Sequence, residues 1–210
     1  MRAVAVAQLL FLVLVASVHP VVAQDSDLDK LKAEAEANPR DARAQYNLGV
    51  AYANKGQLDP AAESFRRATE IDPKLTLAHY NLGYALMQMK KHKEALPSFQ
   101  RATELDPKYA PAFMNMAGTY QALGQFKDAA DGYREATRLR PDDVEAHFGL
   151  AWMLLQSGQK AAADDEYREL SRLDKARADS LYDQYKQKEK EQENQGPSPA
   201  PTAAASPEGQ

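Results

Sequence analysis

Apolar residues along Ala42 to Asn54 and Pro60 to Ile71 recur three and four positions apart, the spacing that puts one face of a helix in a core. Polar Lys55-Gly56-Gln57 separates the two stretches and Asp72-Pro73 closes the second, so the pattern predicts two amphipathic helices joined by a tight turn. The whole pattern then returns. Asn47-Leu48-Gly49 reappears 34 residues later as Asn81-Leu82-Gly83 and, altered, as Asn115-Met116-Ala117. The same step relates Phe65, Phe99, Tyr133 and Tyr167; Ala61, Ala95, Ala129 and Ala163; Ala68, Ala102, Ala136 and Leu170; and Pro39, Pro73, Pro107 and Pro141.

Each unit therefore reads as a helical hairpin. Gly56, Gly124 and Gly158 supply the positive φ that ends a first helix, and the recurring Pro stops the second. Small residues at Gly49, Gly83 and the Ala61 and Ala95 column allow close helix approach, while Tyr52, Leu86, Tyr120 and the Phe65 column fill the space beside them. Asp59 reads as a cap for the helix that Pro60 opens, and Pro97 predicts a late helix start or a slight kink.

These columns resemble the tetratricopeptide repeat family, whose pattern runs aromatic, Leu-Gly, Tyr, Ala, aromatic, Ala, Pro. The resemblance covers residues 42 to 177 and implies an all-α fold, a right-handed superhelix (α-solenoid) of stacked helix-turn-helix units. The expected organisation is a half repeat or cap helix over 24–41, repeats at 42–75, 76–109, 110–143 and a degenerate fourth at 144–177, then a solvating helix over 178–195. The family's first aromatic is mostly replaced here, by Gln45, His79, Phe113 and His147, and Lys175 stands where the fourth Pro belongs. Leu31 and Pro39 fit the end of a preceding unit, and Leu181, Tyr182 and Tyr185 offer one more apolar face before Lys186 to Glu193 turns polar.

The two ends have another character. Residues 1–23 begin with Arg2, continue through an apolar run from Val4 to Val18 and finish at Val21-Val22-Ala23, the layout of a cleavable secretory signal. The alternative is a retained anchor, although about 20 apolar residues are needed to span a bilayer comfortably. Cleavage after Ala23 predicts an exported protein, periplasmic or secreted, with no stable membrane insertion. Residues 196–210 are rich in Pro, Ala and Ser without an aromatic, and read as a disordered tail.

In this family the first helix of each unit lines the concave side, which implies a groove for an extended polypeptide. Helical geometry then assigns to it Tyr46, Asn47, Val50 and Asn54, with Arg43, from the first unit, and Tyr80, Asn81, Tyr84 and Gln88, with Leu77, from the second. Met114, Asn115 and Gln121 follow from the third, and Phe148 and Trp152, with Glu145 and Gln156, from the fourth. Aromatic bodies and carboxamides suit a peptide backbone; packing between hairpins is the competing role for Tyr80, Met114 and Phe148. The Asn47, Asn81, Asn115 column resembles the asparagine ladder of some members, with helix capping or solvation as its alternative, and it breaks at Gly149. Tyr46, Val50 and Pro111 stand where the family's two-carboxylate clamp would need Lys or Asn, which argues against an acidic chain terminus as ligand.

Composition narrows the chemistry. There is no Cys, so disulfides and thiol chemistry are excluded. Losing Arg2 with the signal leaves 25 Lys and Arg against 30 Asp and Glu, a net charge of −5, which does not suit nucleic acid. No His falls in metal-ligand spacing: His79 and His147 read as substitutes for the lost aromatic, His92 as a loop residue. Asp164-Asp165-Glu166 reads as a solvated face. With no phosphate loop, nucleophile elbow or zinc signature, no catalytic, cofactor or metal site is expected. The expected role is a scaffold or adaptor for another exported or envelope protein. A self-assembling subunit using the outer faces and the last helix is the alternative, and a homo-oligomer fits either.

Overall fold

The computed structural model describes residues 25–195; the signal and tail assignments lie outside the described residues. Ten α-helices and no strand occur among them. They are α1 (Asp25–Ala37), α2 (Ala42–Asn54), α3 (Leu58–Ile71), α4 (Thr76–Gln88), α5 (His92–Leu105), α6 (Ala110–Ala122), α7 (Phe126–Leu139), α8 (Val144–Gln156), α9 (Lys160–Leu173) and α10 (Lys175–Gln195). The first helices of the four hairpins start at residues 42, 76, 110 and 144, one repeat length apart. None of the ten is long and apolar enough to cross a membrane.

The chain divides into two compact units, before and after Pro73. In the first, α1 lays Leu28 and Ala35 against Ala44, Leu48 and Ala51 of α2, with Leu31 and Tyr52 alongside. Phe65 of α3 is buried, and a Cβ on Gly49 would sit 2.7 Å from its ring. Glycine at position 49 is thus what lets an aromatic ring lie directly on a helix backbone.

The second unit repeats this device with variations. Phe99 is fully buried, 2.9 Å from where a Cβ on Gly83 would be. In the third hairpin the small residue has changed helix: Ala117 stands in place of glycine, and Gly132 opposite it leaves room for the Ala117 methyl at 3.0 Å. Tyr133 leans instead toward α8, where its ring lies 2.6 Å from a notional Cβ on Gly149. Its core includes Leu150, Met153 and Leu154, all essentially without solvent contact. The last helix completes the unit, with Ala178 and Leu181 of α10 buried against Ala151 and Leu170.

Turns follow from local chemistry. Gly56, Gly124 and Gly158 adopt φ of +70°, +74° and +77°. Lys90 occupies the equivalent place of the second hairpin at φ +60°, and is the one non-glycine residue with positive φ among those described. Asp41 caps α2 by accepting from Arg43 N at 2.8 Å and Ala44 N at 3.3 Å, and Asp143 caps α8 through Ala146 N at 3.1 Å.

Three local expectations are corrected. α3 starts at Leu58, so Asp59 lies inside its first turn, where a carboxylate favours the positive end of the helix dipole, and Gln57 occupies the cap position without a side-chain bond. α5 starts at His92, so His92 is helical, and the helix continues through Pro97. Pro97 and Lys93 are both exposed, so water can solvate the Lys93 carbonyl that loses its donor to the proline ring. The C-terminal helix begins at Lys175, and its buried stripe is Ala178 and Leu181 with Tyr185 half-buried, while Tyr182 is 52% exposed.

Candidate functional site

The residues assigned to a groove divide by how the hairpins use them. In the first unit Tyr46 packs its ring 5.8 Å from that of Phe65; Asn47 and Val50 are half-buried and Asn54 is exposed. In the second unit Tyr80 stands in an aromatic nest, 6.0 Å from Phe99, 6.3 Å from Tyr84 and 5.0 Å edge-on to Tyr109. Burial is the main force pushing its hydroxyl well above the usual tyrosine range. Asn115 of the following hairpin donates from Nδ2 to the Tyr80 hydroxyl at 2.9 Å. The amide and the phenol are therefore one feature, joining α4 to α6, and the phenol keeps a proton of its own to donate.

Around that pair, Asn81, Tyr84 and Met114 are half-buried, Gln88 is exposed, and Leu77 is 44% exposed. Gln121 accepts from the Tyr133 hydroxyl at 3.2 Å. Desolvation raises the Tyr133 phenol as well, with the negative charge of Glu145 adding to it.

At the fourth hairpin the arrangement closes. Phe148 and Trp152 pack beside the cluster of Ala151, Leu170, Ala178 and Leu181, so α10 supplies part of their cover. The Arg177 guanidinium lies 4.6 Å from the centre of the Phe148 ring and donates to both oxygens of Glu145, at 2.7 and 2.6 Å. The Asn column ends at Gly149 for a steric reason: the Tyr133 ring fills the volume where a side chain at 149 would begin.

Sequence reasoning did not foresee the contacts of Tyr109, Arg177 and Glu166, while Gln45 and His147, read as substitutes for the lost aromatic, are buried as that place requires. Tyr109, in the loop before α6, completes the nest around Tyr80, and Arg177 covers Phe148. His147 is buried, with Nε2 3.0 Å from the Pro141 carbonyl oxygen and Nδ1 2.7 Å from Glu166. Glu166 thus leaves the solvated face expected of it, whereas Asp164 and Asp165 are exposed. Gln45, in the same column as His147, is buried beneath an outer cleft of about 570 Å³ edged by Glu36, Glu63, Glu70, Lys32 and Arg67. A polar residue in a column the family fills with an aromatic was the available signal for both.

Charge is distributed by helix type. α4 and α6 contain no Asp, Glu, Lys or Arg, and α2 contains only Arg43. The single charged residue of α8 is Glu145, neutralised by Arg177. α5 and α7 carry ten charged residues between them, many in short-range pairs such as Arg101–Glu104, Asp131–Arg134 and Glu135–Arg138. The first helices thus carry mostly aromatic rings, amides and methionine where the second helices carry charge. Among the described residues no three His, Asp or Glu side chains gather into a metal site.

The tetratricopeptide repeat family matches the chain at residues 42–75 and 76–109, and a second description of the same repeat matches 115–180. No curated protein matches. Among solved structures, the chain is similar to MamA: one crystal structure aligns with a TM-score of 0.68 at 22% identity, over 74% of this chain and 85% of the other. A second, MamA from residue 41 to its end of Desulfovibrio magneticus RS-1, gives 0.65 at 24% identity, over 72% and 85%. At such identities the likeness shows the fold, an all-α array of helical hairpins.

Proposed function

Because the chain belongs to the tetratricopeptide repeat family, we propose that it is an exported, non-enzymatic adaptor that holds an extended segment of another exported or envelope protein along its first helices. A scaffold for protein interaction is what the repeats build, and the finer reading rests on one observation. The exposed side of α4 and α6 is free of formal charge and centred on the Tyr80–Asn115 pair. Carboxamides and phenols can bond main-chain groups whatever the ligand's side chains, and aromatic rings contribute buried area. The proposed contacts in the second unit are Tyr80, Asn81, Tyr84, Met114 and Asn115, with Tyr46, Asn47 and Val50 acting likewise in the first. The N-terminal segment, read as a cleaved signal, supports the location, in the periplasm or outside the cell.

The test is capture of partners from the exported fraction with the chain from Gln24 onward, beside a variant combining Asn47→Ala, Asn81→Ala and Asn115→Ala, with circular dichroism to establish that the variant is folded. The expected result is a single polypeptide held by the native chain and reduced at least tenfold by the variant. Unchanged capture would move attention to the alternative, assembly through the outer helices and α10, for which the exposed Tyr182 beside Tyr167 is the favouring observation.

A further inference from the structure

Gln45 and His147 stand at the same place of the first and fourth repeats, and the fold satisfies only the second of them. Both His147 nitrogens have partners, the Pro141 carbonyl oxygen and, 19 residues on in sequence, Glu166. In the first repeat the place of Glu166 is held by Ser64, which is buried and donates its hydroxyl to the Pro60 carbonyl at 2.9 Å. Gln45 therefore finds no partner there. Its Nε2 donates to the Ala35 carbonyl at 3.4 Å, a long and weak bond, and its Oε1 has no donor although the residue is only 4% exposed. The Ala35 oxygen can only accept, which fixes which end of the amide is which. A buried carbonyl without a donor forfeits the hydrogen bonds it had in water, and native folds rarely leave one so.

The cleft over Gln45, of about 570 Å³, lies within the range of roughly 300–1,000 Å³ found for ligand sites. An amide is smaller than the ring the family carries in that column, which leaves room beside it. Leu48 and Ile71 give the cleft apolar walls, and five charged residues line it. Three of these are already engaged. Lys32 is held by Asp29 at 3.4 Å and lies 5.8 Å from the centre of the Tyr52 ring. Arg67 is held at 3.1 Å by Glu63, which Arg66 shares at 2.8 Å. Glu36 and Glu70 have no ion pair among the described residues. The uncommitted charge at the cleft is thus negative, and its uncommitted acceptor is a carbonyl. Both call for a cationic donor. A guanidinium is flat, carries five N–H donors and can serve a carbonyl and carboxylates together, while its methylene stem covers apolar surface.

We propose that this cleft of the first repeat binds an arginine side chain of a partner polypeptide, its stem along Leu48 and Ile71, its guanidinium bonded to Gln45 Oε1 and facing the Glu36 and Glu70 carboxylates. The amide, weakly held by Ala35, turns about its soft last torsion to present Oε1. The cleft is larger than one side chain, so residues flanking the arginine enter with it. Nothing at this site depends on the Tyr80–Asn115 face.

The test is titration of 15N-labelled full chain with the peptide acetyl-Ala-Arg-Ala-amide and with its counterpart carrying citrulline, which keeps the shape and loses the charge. The expected result is saturable amide shifts confined to α1, α2 and α3, with affinity at least tenfold lower for the citrulline peptide. Gln45→Phe restores a ring to the column and fills the cleft, so it should abolish the shifts while the thermal midpoint stays level or rises. Glu36→Gln combined with Glu70→Gln changes only exposed positions and should weaken binding at least fivefold whether or not the phenylalanine variant folds. Absence of saturable shifts would overturn the proposal, as would equal affinity for citrulline or binding unaltered by the paired glutamine changes. Shifts confined to α4 and α6 would overturn it too, and would give the arginine peptide to the Tyr80–Asn115 face instead.

Discussion

The second and fourth repeats share one 34-residue plan and finish with opposite surfaces. In the second, the ring of Phe99 lies on Gly83 within its own hairpin, and Tyr80 beside it keeps a hydroxyl that Asn115 bonds. In the fourth, the glycine has moved to position 149, a tyrosine from the preceding hairpin fills the space, and the fifth-place residue is Phe148, lacking a hydroxyl and covered by Arg177. His79 of the second is half-buried, whereas His147 of the fourth is buried between the Pro141 carbonyl and Glu166. One plan yields half-buried rings and amides around Tyr80 in the middle of the unit and, at its end, rings covered in part by the protein's own last helix. The difference comes from a few side chains, since the backbone of both hairpins is the same pair of 13- and 14-residue helices.

The largest effect that separates the two is removal of the second-helix aromatic. Phe99 has no solvent contact, so Phe99→Ala loses a whole buried ring and leaves a cavity, at about 3–5 kcal/mol. Tyr167, its counterpart, is half-buried and meets Tyr182 at the surface, 6.3 Å between ring centres, so Tyr167→Ala is expected to cost about 1–2 kcal/mol. Urea denaturation read by helical dichroism measures both. Equal costs would mean that the fourth hairpin is as dependent on its aromatic as the second, and the contrast drawn above would fail.

Much of this architecture was legible in the sequence, and the columns explain why. A residue such as Ala61, Ala95, Ala129 or Ala163 recurs because every hairpin makes the same close contact there, and all four are buried. Repetition thus turns packing into a visible period. What could not be read is where neighbouring hairpins differ. The contact of Tyr133 with Gly149 joins two columns that have no fixed relation elsewhere in the repeat. Arg177 is the final residue of the fourth period, and only its fold-back onto Glu145 and Phe148 shows what it covers. The start of α3 at Leu58 escaped because a proline is tolerated anywhere in a first helical turn, so Pro60 does not fix the boundary. The one global signal left unused was charge by helix type, visible as the total lack of Asp, Glu, Lys and Arg in α4 and α6.

The Tyr80 hydroxyl supplies the next contrast. Burial raises it, and Tyr133 likewise, above the range of an exposed tyrosine near pH 10. In the folded chain both phenols hold their protons after those of the unfolded chain have begun to leave. The unfolded state then binds fewer protons than the native one, so stability is intact below about pH 10 and falls as pH rises through and beyond it. Each tyrosine contributes a slope of about 1.4 kcal/mol per pH unit. Tyr80→Phe is expected to remove one such contribution. Phe148 in the fourth repeat has no hydroxyl, and Phe148→Tyr should not restore the slope if its hydroxyl reaches solvent past Arg177. Denaturation midpoints between pH 9 and 11 decide it: an unchanged alkaline slope in Tyr80→Phe would mean that the phenol ionises as freely folded as unfolded.

The smallest effect lies in the turn. Lys90 and Gly158 occupy the same place in the two hairpins, at φ +60° and +77°, and only glycine reaches that region without steric cost. A side chain there costs about 1–2 kcal/mol, part of which glycine returns through the greater freedom of its unfolded chain. Lys90→Gly is therefore expected to stabilise the protein by about 0.5–1 kcal/mol, a rise of roughly 2 °C in midpoint. The Lys90 side chain is exposed, so little packing is lost to offset that gain. The reciprocal change, Gly158→Lys, should lower the midpoint by a comparable or larger step. If Lys90→Gly instead lowers the midpoint, the lysine side chain contributes more to the second turn than its backbone costs, and the two turns are not equivalent.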